Sequence, residues 1–230
     1  MGTAGATGYG SDLAWVCMVL VDPRQRGQGL GTRLVSEVLE RLAGFAAVGL
    51  DATPQGRPVY AGLGFVAGPE LLRLERPPGP APGPEPAGGR ARPLAPSDLE
   101  AVLAWDREVF GADRGRVLRG ARERAPEYAW CVDGADGLIG YCFGRRGGNA
   151  EQVGPVVARD VAAARALVAA VLARAGNRPF FLDAASFVPG WVPEVERLGF
   201  RPQRPFTRMY RGTPPPAPAA LHAVFGPEFG

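Results

Sequence analysis

Residues 15–42, WVCMVLVDPRQRGQGLGTRLVSEVLERL, predict a strand, a glycine-rich loop and a helix in direct succession. The run from Trp15 to Val21 is apolar and rich in β-branched residues, which is typical of a strand buried inside a sheet. Asp22-Pro23 ends that strand. From Leu30 the apolar residues recur at helical spacing and predict one apolar face on a helix that ends near Gly44: Leu34, Val35, Val38, Leu39 and Leu42.

The loop between the strand and the helix, Arg26-Gly27-Gln28-Gly29-Leu30-Gly31, has the composition of an anion site. A glycine loop that leads into a helix directs several backbone N–H groups outward, with the positive end of the helix dipole behind them. The glycines let the backbone approach a ligand without obstruction by a Cβ atom. Phosphate or pyrophosphate is the anion that fits such a loop best.

Three kinds of phosphate-binding loop compete for this stretch. A dinucleotide-binding fingerprint fails, because neither Gly27-x-Gly29-x-x-Thr32 nor Gly29-x-Gly31-x-x-Leu34 ends in Gly or Ala. The phosphate-binding loop of the P-loop NTPases needs a lysine, and the chain has none. The remaining match is Arg26-x-x-Gly29-x-Gly31, which resembles the (Gln/Arg)-x-x-Gly-x-(Gly/Ala) signature of the GNAT acyltransferases. An ordinary strand-to-helix turn is the alternative interpretation.

Length and composition limit the class of protein. The chain has 230 residues, of which 46% are hydrophobic and 21% charged, as expected for one large or two modest globular domains. No apolar run approaches the roughly 20 residues of a membrane helix. The N-terminus lacks a basic segment followed by an apolar one. A cytoplasmic protein without a membrane partner is therefore expected.

Charge and cysteine usage exclude further chemistries. The net charge of +3 comes entirely from arginine, and the Arg-rich stretch 114–124 is interpreted as a solvated helix face, so no nucleic-acid partner is expected. Cys17, Cys131 and Cys142 form no C-x-x-C pair, and His222 is the sole histidine. We therefore expect neither a disulfide framework nor a metal site.

Residues 1–76 predict the order strand, loop, helix, strand, short helix, strand. The strands after the loop are expected at 45–52 and 71–74, and the short helix at 59–65 with Gly64 as its cap. This order resembles the C-terminal half of a GNAT domain. A first half would precede the strand predicted at Thr3 to Tyr9. We interpret its absence as a truncation, a misassigned start or a departure from the relatives.

The resemblance also implies roles for individual residues. The cosubstrate would be an acyl-CoA, in the simplest case acetyl-CoA, with no metal. Tyr60, which begins a Tyr-x-x-x-Gly-Phe segment, would protonate the departing thiolate, whose pKa of about 8.5 lies below the phenol's pKa of about 10. Asp51 would be the general base, with a water relay, or a structural role for Asp51 as a helix N-cap or turn residue, as the alternatives. The residues implied to bind coenzyme A are Val19, Leu20 and Val21 on the strand, and Arg26, Gly27, Gln28, Gly29, Leu30, Gly31 and Thr32 in the loop and helix.

The rest of the chain repeats the first part. Residues 77–89, PPGPAPGPEPAGG, predict an extended linker. Beyond it, in residues 90–212, Leu50-Asp51-Ala52 recurs as Leu182-Asp183-Ala184, and Leu63-Gly64-Phe65 recurs as Leu198-Gly199-Phe200. This second copy lacks the glycine loop and has Val195 in the place of Tyr60. It is therefore predicted to be a degenerate GNAT-like domain, followed by a C-terminal tail at 213–230.

These observations predict an α/β protein with mixed α+β sheets and two tandem GNAT-like domains, the first lacking its N-terminal half. Several motifs resemble the YitH/HolE-type two-domain GNAT acetyltransferases: residues 109–114, 154–158, 208–209 and 225–230. The implied reaction is direct transfer of an acetyl or other short acyl group from acyl-CoA to a small-molecule or peptide amine in a ternary complex. A non-enzymatic acyl-CoA-binding or regulatory protein is the alternative, and an Arg-rich nucleic-acid module is the least supported. The oligomeric state is open, with a homodimer as one option.

Overall fold

The computed structural model describes residues 1–80, 91–174, 176–215 and 219–230. In that part of the chain, no helix is long and apolar enough to cross a membrane. The strands are β1 Gly2–Tyr9, β2 Leu13–Val21, β3 Ala47–Ala52, β4 Val66–Arg76, β5 Ala91–Pro93, β6 Trp130–Gly134, β7 Gly137–Arg145, β8 Glu151–Ala158, β9 Phe180–Ala185, β10 Arg201–Gly212 and β11 Leu221–Ala223. The helices are α1 Leu30–Arg41, α2 Arg57–Gly62, α3 Leu99–Phe110, α4 Gly115–Arg124, α5 Val161–Arg174 and α6 Trp191–Arg197.

These elements form two compact units. The first contains Met1–Glu70, Pro205–Pro216 and Pro227–Gly230, and the second contains Leu71–Arg204 and Ala217–Gly226. The domain ranges predicted from the sequence, 1–76 and 90–212, instead place each repeat in one continuous stretch of the chain. The two divisions differ because the end of β4 pairs with β9 in the second unit, whereas the end of β10 pairs with β3 in the first. Most of the predicted linker lies outside the described residues.

The first unit is a mixed sheet with the strand order β1-β2-β3-β10. β2 is antiparallel to β1 and parallel to β3, which in turn is antiparallel to the end of β10. One face of the sheet packs against α1, whose buried residues are Val35 and Leu39. The helix ends at Arg41, earlier than the predicted end near Gly44, because Leu42 already caps it. The hydrophobic cluster that includes the buried side of α1 consists of Ala14, Val16, Val35, Leu39, Val48, Leu50, Ala52, Phe65 and Met209.

The second unit is a larger mixed sheet with the strand order β4-β9-β11-β8-β7-β6-β5. Its central helix, α5, is alanine-rich and buried along most of its length. The predicted C-terminal tail contributes β11, a strand that was not predicted from the sequence. His222, on β11, is buried with its ring 5.2 Å from that of Trp191, and burial lowers the pKa of its imidazole.

The repeat is visible in how the short helix of each unit ends. In both, a glycine with positive φ follows the C-cap residue, at 84° for Gly64 and 90° for Gly199. The amide of the next phenylalanine then donates to the carbonyl five residues back. These bonds join Phe65 to Tyr60 at 3.1 Å and Phe200 to Val195 at 3.4 Å, which is the Schellman arrangement. Val195 therefore occupies the backbone position of Tyr60.

A buried ion pair is repeated as well. In the first unit, the Arg208 guanidinium donates to both carboxylate oxygens of Asp51, at 2.9 Å each. In the second unit, Arg73 donates to both oxygens of Asp183, at 2.7 and 2.8 Å. In each case the two residues lie directly opposite each other on antiparallel strands. The aspartate of the repeated Leu-Asp-Ala segment thus belongs to a buried ion pair in both units.

Candidate functional site

The glycine loop forms a compact turn between β2 and α1. The Asp22 carboxylate accepts a hydrogen bond of 2.9 Å from the Arg24 amide and caps a short 3₁₀ turn at Pro23–Gln25. Gly27 and Gly29 have φ of 77° and 73°, in the left-handed region that favours glycine. A Cβ atom added at either would meet nothing within 4 Å. The two glycines are therefore required by the left-handed backbone conformation, and the space on the outer side of the loop is open.

The start of α1 supplies backbone donors that have no partner within the helix. Gly29 is its N-cap, and the first helical hydrogen bond runs from the Arg33 amide to the Gly29 carbonyl, at 3.0 Å. The amides of Leu30, Gly31 and Thr32 precede that bond, so they have no acceptor within the helix. The first turn carries neither a side-chain cap nor an acidic residue. This end of the helix has the electrostatics of an anion site.

Arg26 has a different place from the other predicted loop residues. Its Nε donates to the Val21 carbonyl at 3.2 Å, and its amide donates to the Pro23 carbonyl at 3.4 Å. The side chain therefore ties the loop to the end of β2. Gln28 is exposed beside the two left-handed glycines. The structure brings the loop residues and the first turn of α1 together at one end of β2.

β2 and β3 separate beyond the first residues of their pairing. Within the described residues, the parallel pairing joins Leu13–Trp15 to Ala47–Gly49. Beyond this pairing, the register between β1 and β2 shifts, and Met18 has a φ of 53°. These two features mark a bulge in β2. We call the separation of the two strands beyond this pairing the β2–β3 cleft. Val19, Leu20 and Val21 follow the bulge and lead directly to the glycine loop.

The prediction that β2 is buried throughout was wrong for its second half. Met18 and Leu20 are 52% and 57% exposed, whereas Leu13 to Val16 are buried. The apolar run is continuous in the sequence, but its two halves have different surroundings because β3 accompanies only the first. Exposed apolar side chains on a strand beside an anion site are suited to contact an apolar ligand.

Tyr60 lies on α2 and is partly buried. Its ring packs edge-on against Phe65, with 6.1 Å between centroids. Burial raises the pKa of its phenol above the usual value of 10. The hydroxyl therefore stays protonated through the neutral range, as a proton donor requires. The ring also packs against the hydrophobic cluster beneath α1. A packing role for the ring is therefore compatible with a role for the hydroxyl as proton donor.

Asp51 lies in β3, and its carboxylate is almost fully buried with Arg208, at 1% and 6% side-chain exposure. Both of its oxygens accept from the guanidinium. A base that takes a proton from an amine must give up such a pairing, so the geometry favours a structural role. It corresponds to neither the turn residue nor the helix cap weighed as its structural alternatives.

In the second unit, other parts of the chain occupy the positions that correspond to the cleft and the loop. β8 and β9 pair in parallel at Glu151–Val153 and Phe180–Leu182 and then separate, as β2 and β3 do. β11 lies in that separation and pairs with both strands: Ala223 lies opposite Val156 on β8 and Ala184 on β9. Two hydrogen bonds flank it, from the Ala158 amide to Ala220 at 2.9 Å and from the Val224 amide to Asp183 at 3.0 Å.

The helix that follows β8 also differs from α1 at its start. The Asp160 carboxylate accepts a hydrogen bond of 2.8 Å from the Ala163 amide. A negative charge therefore already stands at the N-terminus of α5, where an anion would bind. In the second unit, the chain itself therefore occupies both the gap between the two parallel strands and the N-terminus of the helix that follows. The absence of the glycine loop could be predicted from the sequence, whereas β11 could not, because its only signal is the short apolar run at 219–225.

In the described residues, no group of three or more His, Cys, Asp or Glu side chains is arranged to hold a metal ion. All three cysteines are free thiols, with Cys17 partly exposed and the other two buried. Burial raises the pKa of Cys142 and, at about 12, that of Cys131, which suits core residues rather than nucleophiles.

Comparison with known proteins agrees with this geometry. Two family models described as an acetyltransferase (GNAT) domain match residues 102–226 and 2–72, and the first match alone covers more than half of the chain. A curated relative, the holothin acyltransferase of Pseudoalteromonas sp. (strain SANK 73390), is 26% identical over 208 residues, which cover 90% of this chain and 69% of that protein.

Solved structures share the fold. A candidate acetyltransferase from Pyrococcus horikoshii matches with a TM-score of 0.80 and 21% identity, over 100% of this chain and 76% of that one. A GCN5-related N-acetyltransferase from Sphaerobacter thermophilus matches with a TM-score of 0.65 and 22% identity, over 92% of this chain and 78% of that one. The chain belongs to the GNAT acetyltransferase family, with two GNAT domain regions and acyl-CoA as the acyl donor that the family implies.

Proposed function

We propose that the first unit binds acetyl-CoA, or another short acyl-CoA, and transfers the acyl group directly to an amine in a ternary complex. The observation that carries this proposal is the glycine loop at the start of α1, placed at the end of an exposed apolar strand. The amides of the loop and of Leu30, Gly31 and Thr32 would bind the pyrophosphate. Val19, Leu20 and Val21 would contact the pantetheine arm.

The second unit supports this binding mode. β11 is an extended segment paired with β8, at the positions that correspond to Val19 and Leu20 in the repeat. Strand addition of this kind uses backbone hydrogen bonds that a pantetheine amide can also make. In the first unit, the arm would run from the loop back along β2, so that its thioester reaches the bulge at Met18. A backbone amide of that bulge would stabilise the oxyanion.

The reaction then needs one proton removed and one supplied. The amine nitrogen attacks the thioester carbonyl, and the C–S bond of the tetrahedral intermediate breaks. The thiolate takes a proton from the Tyr60 hydroxyl, and the attacking nitrogen loses one to a base or a water. Asp51 was the base expected from the sequence, and its pairing with Arg208 instead supports a role in holding β3 and β10.

Replacing Tyr60 by phenylalanine tests the proton donor. We expect turnover of acetyl-CoA with a panel of primary amines to fall by about a hundredfold, whereas acetyl-CoA affinity changes little because the ring still packs against Phe65. Stopped assays of free thiol and a calorimetric titration measure the two quantities. A Phe65→Leu variant, which disturbs the same ring contact while keeping the hydroxyl, is the matched control.

Three outcomes of these assays are informative. Equal turnover in Tyr60→Phe and the unaltered protein would remove Tyr60 as the acid. Binding of acetyl-CoA without turnover of any amine would favour the non-enzymatic acyl-CoA-binding alternative. Absence of binding at millimolar acetyl-CoA would contradict both functions.

A further inference from the structure

The strand β1 forms the outer edge of the first unit's sheet. Within the residues that the structure describes, β1 pairs with β2 alone, so its other edge has no strand partner. Its sequence, GTAGATGY, contains neither a charged residue nor a proline. The extra residue at the register shift lies on β2, so β1 itself is regular. Charges, prolines and bulges keep an exposed edge from pairing with another chain, and β1 has none of them.

A groove of about 380 Å³ lies between this edge and α1. The helix side of the groove is apolar, and its side chains are only partly buried. The strand side consists of small residues, which leave the groove open toward the edge. The lining residues are Ala4, Gly5 and Ala6 on β1, and Leu34, Val38 and Leu42 on α1.

Two charged residues of α1, Glu37 and Arg41, complete the lining of the groove. Both side chains are exposed, and residues four apart on a helix lie on the same side of it. Among the described residues, neither side chain takes part in an ion pair. A surface that carries one unpaired positive and one unpaired negative charge is complementary to a copy of itself related by a two-fold rotation.

The apolar and charged residues of α1 fit such a rotation in nearly the same register. If α1 lies antiparallel to α1 of a second copy with Val38 opposite Val38, then Leu34 lies opposite Leu42. In nearly the same register, Glu37 lies opposite Arg41 of the second copy. The symmetry forms each of these contacts twice, so one helix face supplies both an apolar centre and opposite charges at its rim.

The strands fit the same axis. An axis at Gly5, in the middle of the groove, places Thr3 opposite Thr7 in an antiparallel pair of β1 strands. Because α1 packs on both β1 and β2 and neighbouring strands are about 4.8 Å apart, the two helix axes would be about 10 Å apart. Packed helices have this separation, so strand pairing and helix packing are compatible.

We propose that the β1 edge and the groove beside α1 form the interface of a two-fold symmetric dimer of this chain. β1 pairs antiparallel with β1 of the second copy, and α1 packs against α1. The contact uses the same surface of both copies, so it closes at two chains and does not continue into a filament. This inference does not depend on the proposed function, because the residues of the glycine loop are not among those that line the groove.

Reversal of the rim charges tests the interface. Glu37→Arg places like charges opposite each other twice per dimer, and Arg41→Glu does the same with the opposite sign. We expect each change to weaken the dimer by about tenfold to a hundredfold at low ionic strength. An equimolar mixture of the two variants should recover the dimer, because opposite charges then meet at both contacts. Sedimentation velocity over a range of concentrations measures each association.

Glu40→Arg is the matched control, since it makes the same charge change at an exposed position of α1 outside the groove. It should leave the dimer unchanged. Hydrogen exchange supplies a second measurement: the amides of β1 should become more protected as the concentration of the unaltered protein rises, and less so in Glu37→Arg. A monomer at every concentration, a dimer that both single variants leave intact, or a mixture that stays monomeric would overturn the inference.

Discussion

Replacement of Gly29 by aspartate is expected to weaken acetyl-CoA binding by about a hundredfold or more. Aspartate tolerates the left-handed backbone of this position better than most residues, and it is a favourable helix N-cap, so the helix should remain intact. Its carboxylate would stand where the pyrophosphate is proposed to bind, and two like charges about 4 Å apart near a protein surface repel by about 4 kcal/mol. The change gives α1 the acidic cap that Asp160 gives α5.

Gly29→Asn is the matched control for this prediction. Asparagine has the same shape and the same tolerance of a φ of 73°, but no charge. We expect it to retain most of the acetyl-CoA affinity, so that the difference between the two variants reports the negative charge alone. Calorimetric titration measures both affinities. Equal loss in the two variants would show that steric obstruction, and not an anion site, explains the effect.

The second large effect is expected on stability, from the repeated ion pairs. Asp51→Asn leaves the Arg208 guanidinium buried beside a neutral partner, and breaking such a pair costs about 3–5 kcal/mol. Asp183→Asn should cost a similar amount because Arg73 and Asp183 are buried in the same geometry. Urea unfolding monitored by tryptophan fluorescence measures both changes. A loss below about 1 kcal/mol in either variant would be the value typical of an exposed pair and would contradict the assignment.

Removing both charges distinguishes the cost of a buried charge without its partner from the loss of the ion pair itself. The double variant Asp51→Leu with Arg208→Met replaces the pair by apolar side chains, and it is expected to be more stable than Asp51→Asn. It also examines the base hypothesis. If acetyl transfer in the folded double variant stays near the unaltered rate, Asp51 serves structure; a selective loss of kcat with full stability would restore it as a candidate base.

The features predicted well from the sequence are local ones. The glycine loop is defined by closely spaced residues, Arg26, Gly29 and Gly31, and its neighbours in the chain are its neighbours in space. The helix ends at Gly64 and Gly199 could be predicted for the same reason, because a Schellman motif spans only six residues. The GNAT resemblance and the degenerate second copy follow from such segments.

The features missed are those that depend on distant partners. Asp51 lies far from Arg208 in the chain, so nothing in the Leu-Asp-Ala segment indicated that its carboxylate was already paired. Met18 and Leu20 have the composition of a buried strand, and only the departure of β3 exposes them. β11 has three residues, too few for a period to be visible, and its place between β8 and β9 is set by the sheet around it.

We propose that the described part of the chain has a single acyl-CoA site, built on the loop at Gly29, because β11 and Asp160 fill the corresponding places in the second unit. Calorimetric titration of acetyl-CoA into the full chain tests it most directly. We expect one acetyl-CoA bound per chain and the loss of this binding in Gly29→Asp. Two sites per chain, one site that survives Gly29→Asp, or no binding at millimolar acetyl-CoA would contradict it.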